Sequence, residues 1–175
     1  DGEGPPLLLG LFPALLCPMF LAYYLVRLQA IRALRDGRTA IARWVVPAED
    51  FRAFCEREEA VPAGSIAVNY YRPPRRLPAG DVEVVFSDRG VLVGDGWFPL
   101  SLAGGRRLQS VRYIADDPPA IEFNTLLTTT VRTSSVTVAT RHQAQSLRVP
   151  VARAARAQAG AVVDRFEAML RARDG

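Results

Sequence analysis

His142, within Thr140-Arg141-His142-Gln143, is the chain's one histidine. As a general base it needs a nucleophile held beside it. Serine and threonine crowd residues Thr125–Ser146, yet no G-x-S-x-G nucleophile elbow occurs. His142 is therefore expected in a solvated turn. The two cysteines, Cys17 and Cys55, fall in different segments, and no Cys/His cluster has the spacing of metal ligands. Cys55 is expected as a small core residue of a helix. Asp116-Asp117 precedes Pro118-Pro119 and reads as a turn, with metal binding as the alternative. Gly94-x-Gly96 and Gly104-Gly105 lack the strand-to-helix setting of a phosphate loop. The expectation is a chain with no catalytic residue, no metal and no cofactor, and so not an enzyme.

Charge is the other source of chemistry. Basic residues number 22, all arginine, against 18 acids, for a net +4. They are interspersed with the acids, which fits base composition better than an anion-binding surface. Two local concentrations remain, Arg27, Arg32 and Arg35 in one and Arg72, Arg75 and Arg76 in the other. These six are the candidate contacts for anionic lipid head groups, at about 1 kcal/mol per arginine near a surface. With no helix-turn-helix pattern and no aromatic RNP-like strand, nucleic acid is not an expected partner.

The first cluster follows an uncharged stretch, Pro5–Val26. As a helix it measures about 33 Å, against a hydrocarbon core of about 30 Å. It lacks the basic start and the A-x-A site of a signal peptide. A transmembrane helix is expected, weakened by Pro13 and Pro18. Asp1 and Glu3 precede it and four arginines (Arg27, Arg32, Arg35 and Arg38) follow. The positive-inside rule then places the following domain on the cytoplasmic face of the inner membrane, with the chain bitopic. The first residue is not Met, so an upstream segment is left open.

Two regions are expected: 1–37, the transmembrane helix and basic juxtamembrane segment, and 38–175, one globular domain. In the domain, Thr39–Val46 reads as a strand, and Pro47 opens a helix to about Ala60. Phe51, Phe54 and Cys55 form its apolar face. Ser65–Tyr71 alternates as a strand and leads into an Arg/Pro-rich loop, Arg72–Gly80. Short strands separated by turn signals follow, among them Val82–Ser87, Val91–Val93, Leu108–Ala115 and Ala120–Leu127. Thr128–Ser134 reads as a polar break, with Ser135–Thr140 and Gln145–Val149 as a last hairpin. A helix over about 151–172 carries Ala159, Val162, Val163, Phe166, Met169 and Leu170 as one apolar stripe.

The cadence Val84-Val85-Phe86-Ser87-Asp88-Arg89-Gly90-Val91-Leu92-Val93-Gly94, then Trp97-Phe98-Pro99-Leu100, then Leu108-Gln109-Ser110-Val111 resembles the pleckstrin-homology-like (PH-like) fold of bacterial membrane proteins. The resemblance implies an α+β domain after the transmembrane helix: a PH-like antiparallel β-sandwich or barrel closed by a C-terminal α-helix. It does not bring a function with it. The functional expectation is a membrane-anchored, non-enzymatic module that binds a protein or peptide partner at an exposed sheet edge. The alternative is an anionic-lipid sensor built on the six arginines.

Overall fold

The computed structural model describes residues 18, 20–22, 24, 25, 28, 29, 31–61, 68–71, 77–132 and 138–175. The chain divides into two compact units, Asp1–Thr39 and Ala40–Gly175.

In the first unit the described residues up to 35 are helical. Gly37, at φ 77°, follows the helix, and the Gly37 and Arg38 amides donate to the Leu34 and Ala33 carbonyls. This left-handed position is one that glycine occupies without strain. Among the described residues no helix is long and apolar enough to cross a membrane. That finding corrects the expectation of a transmembrane helix. Most of Pro5–Val26 lies outside the described residues. Each proline within the stretch removes one backbone hydrogen bond from a helix.

The second unit runs β1 (Ala42–Val46), α1 (Ala48–Glu59), β2 (Val68–Asn69), β3 (Val82–Ser87), β4 (Gly90–Val93), β5 (Gly96–Pro99), β6 (Arg106–Ile114), β7 (Ala120–Arg132), β8 (Val138–Pro150), a 3-10 turn (Arg153–Ala155) and α2 (Arg156–Asp174). Its strands form two four-stranded sheets, ordered β1-β3-β4-β5 and β2-β8-β7-β6. The first is antiparallel throughout; in the second, β2 alone runs parallel to its neighbour. Hairpin β4–β5 closes through Gly94-Asp95, with Gly94 at φ 58°, the chemistry that a tight two-residue turn requires. At Gly90 a Cβ would stand 2.5 Å from the Phe98 carbonyl oxygen, so glycine is what lets β5 pass this close.

One apolar core fills the space between the sheets. Trp44, Phe86, Phe123 and Phe166 form a chain of tilted and edge-on ring contacts through it, at centroid separations of 4.9, 6.1 and 5.1 Å. They tie β1, β3, β7 and α2 together. Helix α2 buries Ala159, Val162, Phe166 and Leu170. Its far end is pinned where Arg173 Nη1 donates to the Leu108 carbonyl at 2.6 Å. Helix α1 has Glu49 and Asp50 in its first turn, where they favour the dipole, and buries Phe51, Phe54 and Cys55.

The architecture is α+β, with two sheets and a C-terminal helix; of the expected PH-like sandwich or barrel, the barrel is corrected, because among the described residues no ladder joins the two sheets. The segment inserted between β1 and β3 supplies the reason. It places β2 on the edge of β8, where a strand of the other sheet would have to pair. Strand β1 reaches the end of β8 through a side chain instead, Trp44 Nε1 donating to the Pro150 carbonyl at 3.1 Å.

The polar stretch from Thr128 does not break the sheet. Strands β7 and β8 are 13 residues each and pair from Ala120↔Pro150 to Arg132↔Val138. Threonine is β-branched and suits an exposed strand, so polarity here marks exposure and not a turn.

Candidate functional site

Strand β7 opens with Ala120-Ile121-Glu122-Phe123, all buried. Alternation sends Ile121 and Phe123 into the core, opposite Val149 and Leu147, and Glu122 to the other face. The register sets Arg112 of β6 and Arg148 of β8 directly across from Glu122. Both arginines donate to its carboxylate through Nε, at 2.5 Å from Arg112 and 2.8 Å from Arg148. The Ser146 hydroxyl adds a third bond at 3.0 Å. Burial by itself raises the pKa of Glu122. The bonds from Arg148, Arg112 and Ser146 outweigh it and hold the carboxyl below its ordinary value.

The ladder continues to α1. Arg148 Nη1 donates to Glu58 Oε2 at 3.2 Å, and the Asn69 amide nitrogen donates to the same oxygen. Asn69 Oδ1 in turn accepts from the Arg148 and Tyr71 amides, locking β2 onto β8. Next along α1, Arg57 donates to the Pro118 carbonyl at 2.6 Å and lies over the Phe54 ring, 5.5 Å from its centroid. Arg57, Glu58, Arg148, Glu122 and Arg112 thus form a row of alternating charge across α1, β8, β7 and β6.

Above this row lies an open cleft of about 430 Å³, lined by Arg57, Glu58, Val61, Arg112, Tyr113, Ile114, Asp116 and Arg148. Its charges fall into two groups. On the floor, Arg148 and Glu58 bind one another and Arg57 Nη1 binds the Pro118 carbonyl, while Arg57 Nη2 is buried 3.8 Å from Glu58 without a hydrogen-bond partner among the described residues. On the rim, Arg112 spends its Nε on Glu122, while its side chain stays 67% exposed. Neither of its Nη groups meets an acceptor among the described residues. Asp116 is exposed and has no partner among them.

The loop that carries Asp116 is nonetheless fixed. Arg57 grips Pro118, Val151 N donates to the Pro119 carbonyl at 2.9 Å, and Arg153 pairs with Asp117 at 2.8 Å.

Of the residues singled out by sequence, Asp116 lines this cleft and the others lie elsewhere. Arg32 and Arg35 are exposed on helical residues of the first unit. Arg27, Arg72, Arg75 and Arg76 lie outside the described residues. His142 stands on β8 and not in a turn, its Nδ1 3.1 Å from Thr128 Oγ1 on an exposed part of the β7–β8 ribbon. Cys55 is buried, and burial, with Glu59, Glu58 and Glu56 adding to it, pushes its thiol up to about 12. Among the described residues no group of three or more His, Cys, Asp or Glu could hold a metal. The ladder was not among the expectations from sequence. Its one visible signal was Glu122, a lone acid inside an apolar strand, which calls for buried cationic partners.

Fold and cleft together define an α+β domain of two four-stranded sheets that carries an ion-walled surface cleft. No protein-family model, curated protein or solved structure matches this chain.

Proposed function

We propose that the domain is a non-enzymatic module that binds a protein or peptide partner in the cleft between α1, β6 and the loop at Asp116. The cleft itself carries this reading. It is open, and rigid helix and strand residues build its walls. The ion row beneath it holds those walls in place before any partner arrives. Binding then costs little reorganisation of the domain. The size suits a few side chains of an extended segment.

Selection of displayed random peptides against the intact chain tests the proposal, with affinities then measured by fluorescence anisotropy. Selected peptides should lose binding when Val61→Trp fills the cleft. A selection that returns no binder, or binders indifferent to Val61→Trp, overturns it.

A further inference from the structure

The charge accounting of the cleft names the chemistry of the occupant. This inference rests on the peptide-binding reading and asks which peptides. Four charges in and under the cleft are paired within the protein: Glu58, Arg148 and Glu122 in the ladder, and Arg57, which bonds the Pro118 carbonyl through Nη1 and faces Glu58 at 3.8 Å with a buried Nη2 that has no hydrogen-bond partner among the described residues. Two exposed groups remain without a partner among the described residues, the outward fork of Arg112 and the carboxylate of Asp116. They are opposite in sign and both line the same cleft.

The Arg112 side chain is oriented, and the loop that carries Asp116 is fastened. The Arg112 guanidinium is tied at Nε to a carboxylate that is itself buried and held from two further sides. That leaves the Nη pair presented as a two-donor fork, the geometry that matches a carboxylate. Asp116 sits in a loop fastened by Arg57, Arg153 and the Val151 amide, yet no described residue binds its own oxygens. An anchored arginine with idle hydrogen-bonding capacity has already lost part of the conformational freedom that a surface charge gives up on binding.

We propose that the cleft recognises a peptide segment carrying one carboxylate and one ammonium or guanidinium close together, the carboxylate on Arg112 and the cation on Asp116. A purely anionic ligand fits poorly, because it meets Asp116 and finds Arg148 already paired with two carboxylates. A purely cationic one meets Arg112. Mixed-charge pairing also supplies specificity, since reversing the order of the two charges sets like against like.

The test uses the peptides from the selection above. Their sequences should be enriched in an acidic residue within a few positions of a basic one, and binding should weaken as salt rises. Asp116→Asn and Arg112→Gln should each weaken binding about tenfold. Replacing the peptide's basic residue by Met should cost nothing further in Asp116→Asn, and replacing its acid by Gln nothing further in Arg112→Gln. Asp116→Lys should restore binding of a peptide whose basic residue is changed to Glu. Peptides that need the cleft, as Val61→Trp reports, but show no such coupling overturn this inference and leave the binding reading standing. Stronger binding by Asp116→Asn marks a purely anionic ligand and also overturns it; phosphatidylglycerol vesicles, run in parallel, identify that outcome directly. A selection without binders removes the underlying reading instead.

Discussion

Replacing Glu122 by Gln keeps the side chain's shape and one acceptor while removing its charge. Glu122 is 1% exposed and accepts three bonds, from Arg148 at 2.8 Å, Arg112 at 2.5 Å and Ser146 at 3.0 Å. Bonds to a charged group contribute about 1.5–3 kcal/mol where water cannot replace them. Arg112 is 67% exposed, so water takes its place and that bond is worth at most about 1 kcal/mol. Arg148 is 19% exposed and keeps Glu58, so it loses one of two carboxylates but not both. Ser146 keeps an acceptor. The sum is a loss of about 2–3 kcal/mol, a fall in melting temperature of roughly 8–12 °C for a unit of this size.

The effect has a pH signature. The folded pKa of Glu122 lies below the ordinary carboxyl value of 4.5. Its contribution is therefore present above about pH 4.5 and is lost as pH falls through the lowered folded value. Urea denaturation of wild type and Glu122→Gln at pH 7, and at steps from pH 5 to pH 3, measures both quantities. The gap between the two proteins should be widest at neutral pH and should narrow on acidification. Equal stability at pH 7, or two curves that stay parallel down to pH 3, refutes the assignment of Glu122 as the charged centre of the ladder.

Two further outcomes follow from packing and burial. A Cβ at Gly160 of α2 meets nothing within 4 Å, so Gly160→Ala should raise stability by about 0.5–1 kcal/mol in the same urea assay; a loss of stability shows that the helix needs glycine there. In a Cys17→Ser background, Cys55 should resist a disulfide reagent at pH 8 in the native chain, its thiol being pushed up to about 12 by burial, and react fully in denaturant.

What was legible in the sequence was what depends on near neighbours. The apolar face of α1 (Phe51, Phe54 and Cys55) and the stripe of α2 follow from helical spacing. Hairpin β4–β5 follows from Gly94-Asp95-Gly96. These features are local, because backbone geometry repeats every few residues and a turn is four residues long.

The rest depended on partners far apart in the chain. Whether the sheets close into a barrel was decided by β2, two residues long, taking the edge of β8 some 77 positions later in parallel register. Whether Thr128–Arg132 ends a strand or extends a ribbon was decided by its pairing with β8, since threonine tolerates either. The cleft belongs to the same class. Arg57, Arg112, Glu122 and Arg148 are unremarkable among 22 arginines and 18 acids, and no spacing links them. Strand register alone sets Arg112, Glu122 and Arg148 side by side, and α1 brings Glu58 and Arg57 to the end of the row. A sequence states which charges a chain owns. Which of them neutralise each other and which stay unspent is a matter of a few ångströms, and only the tertiary structure sets those distances.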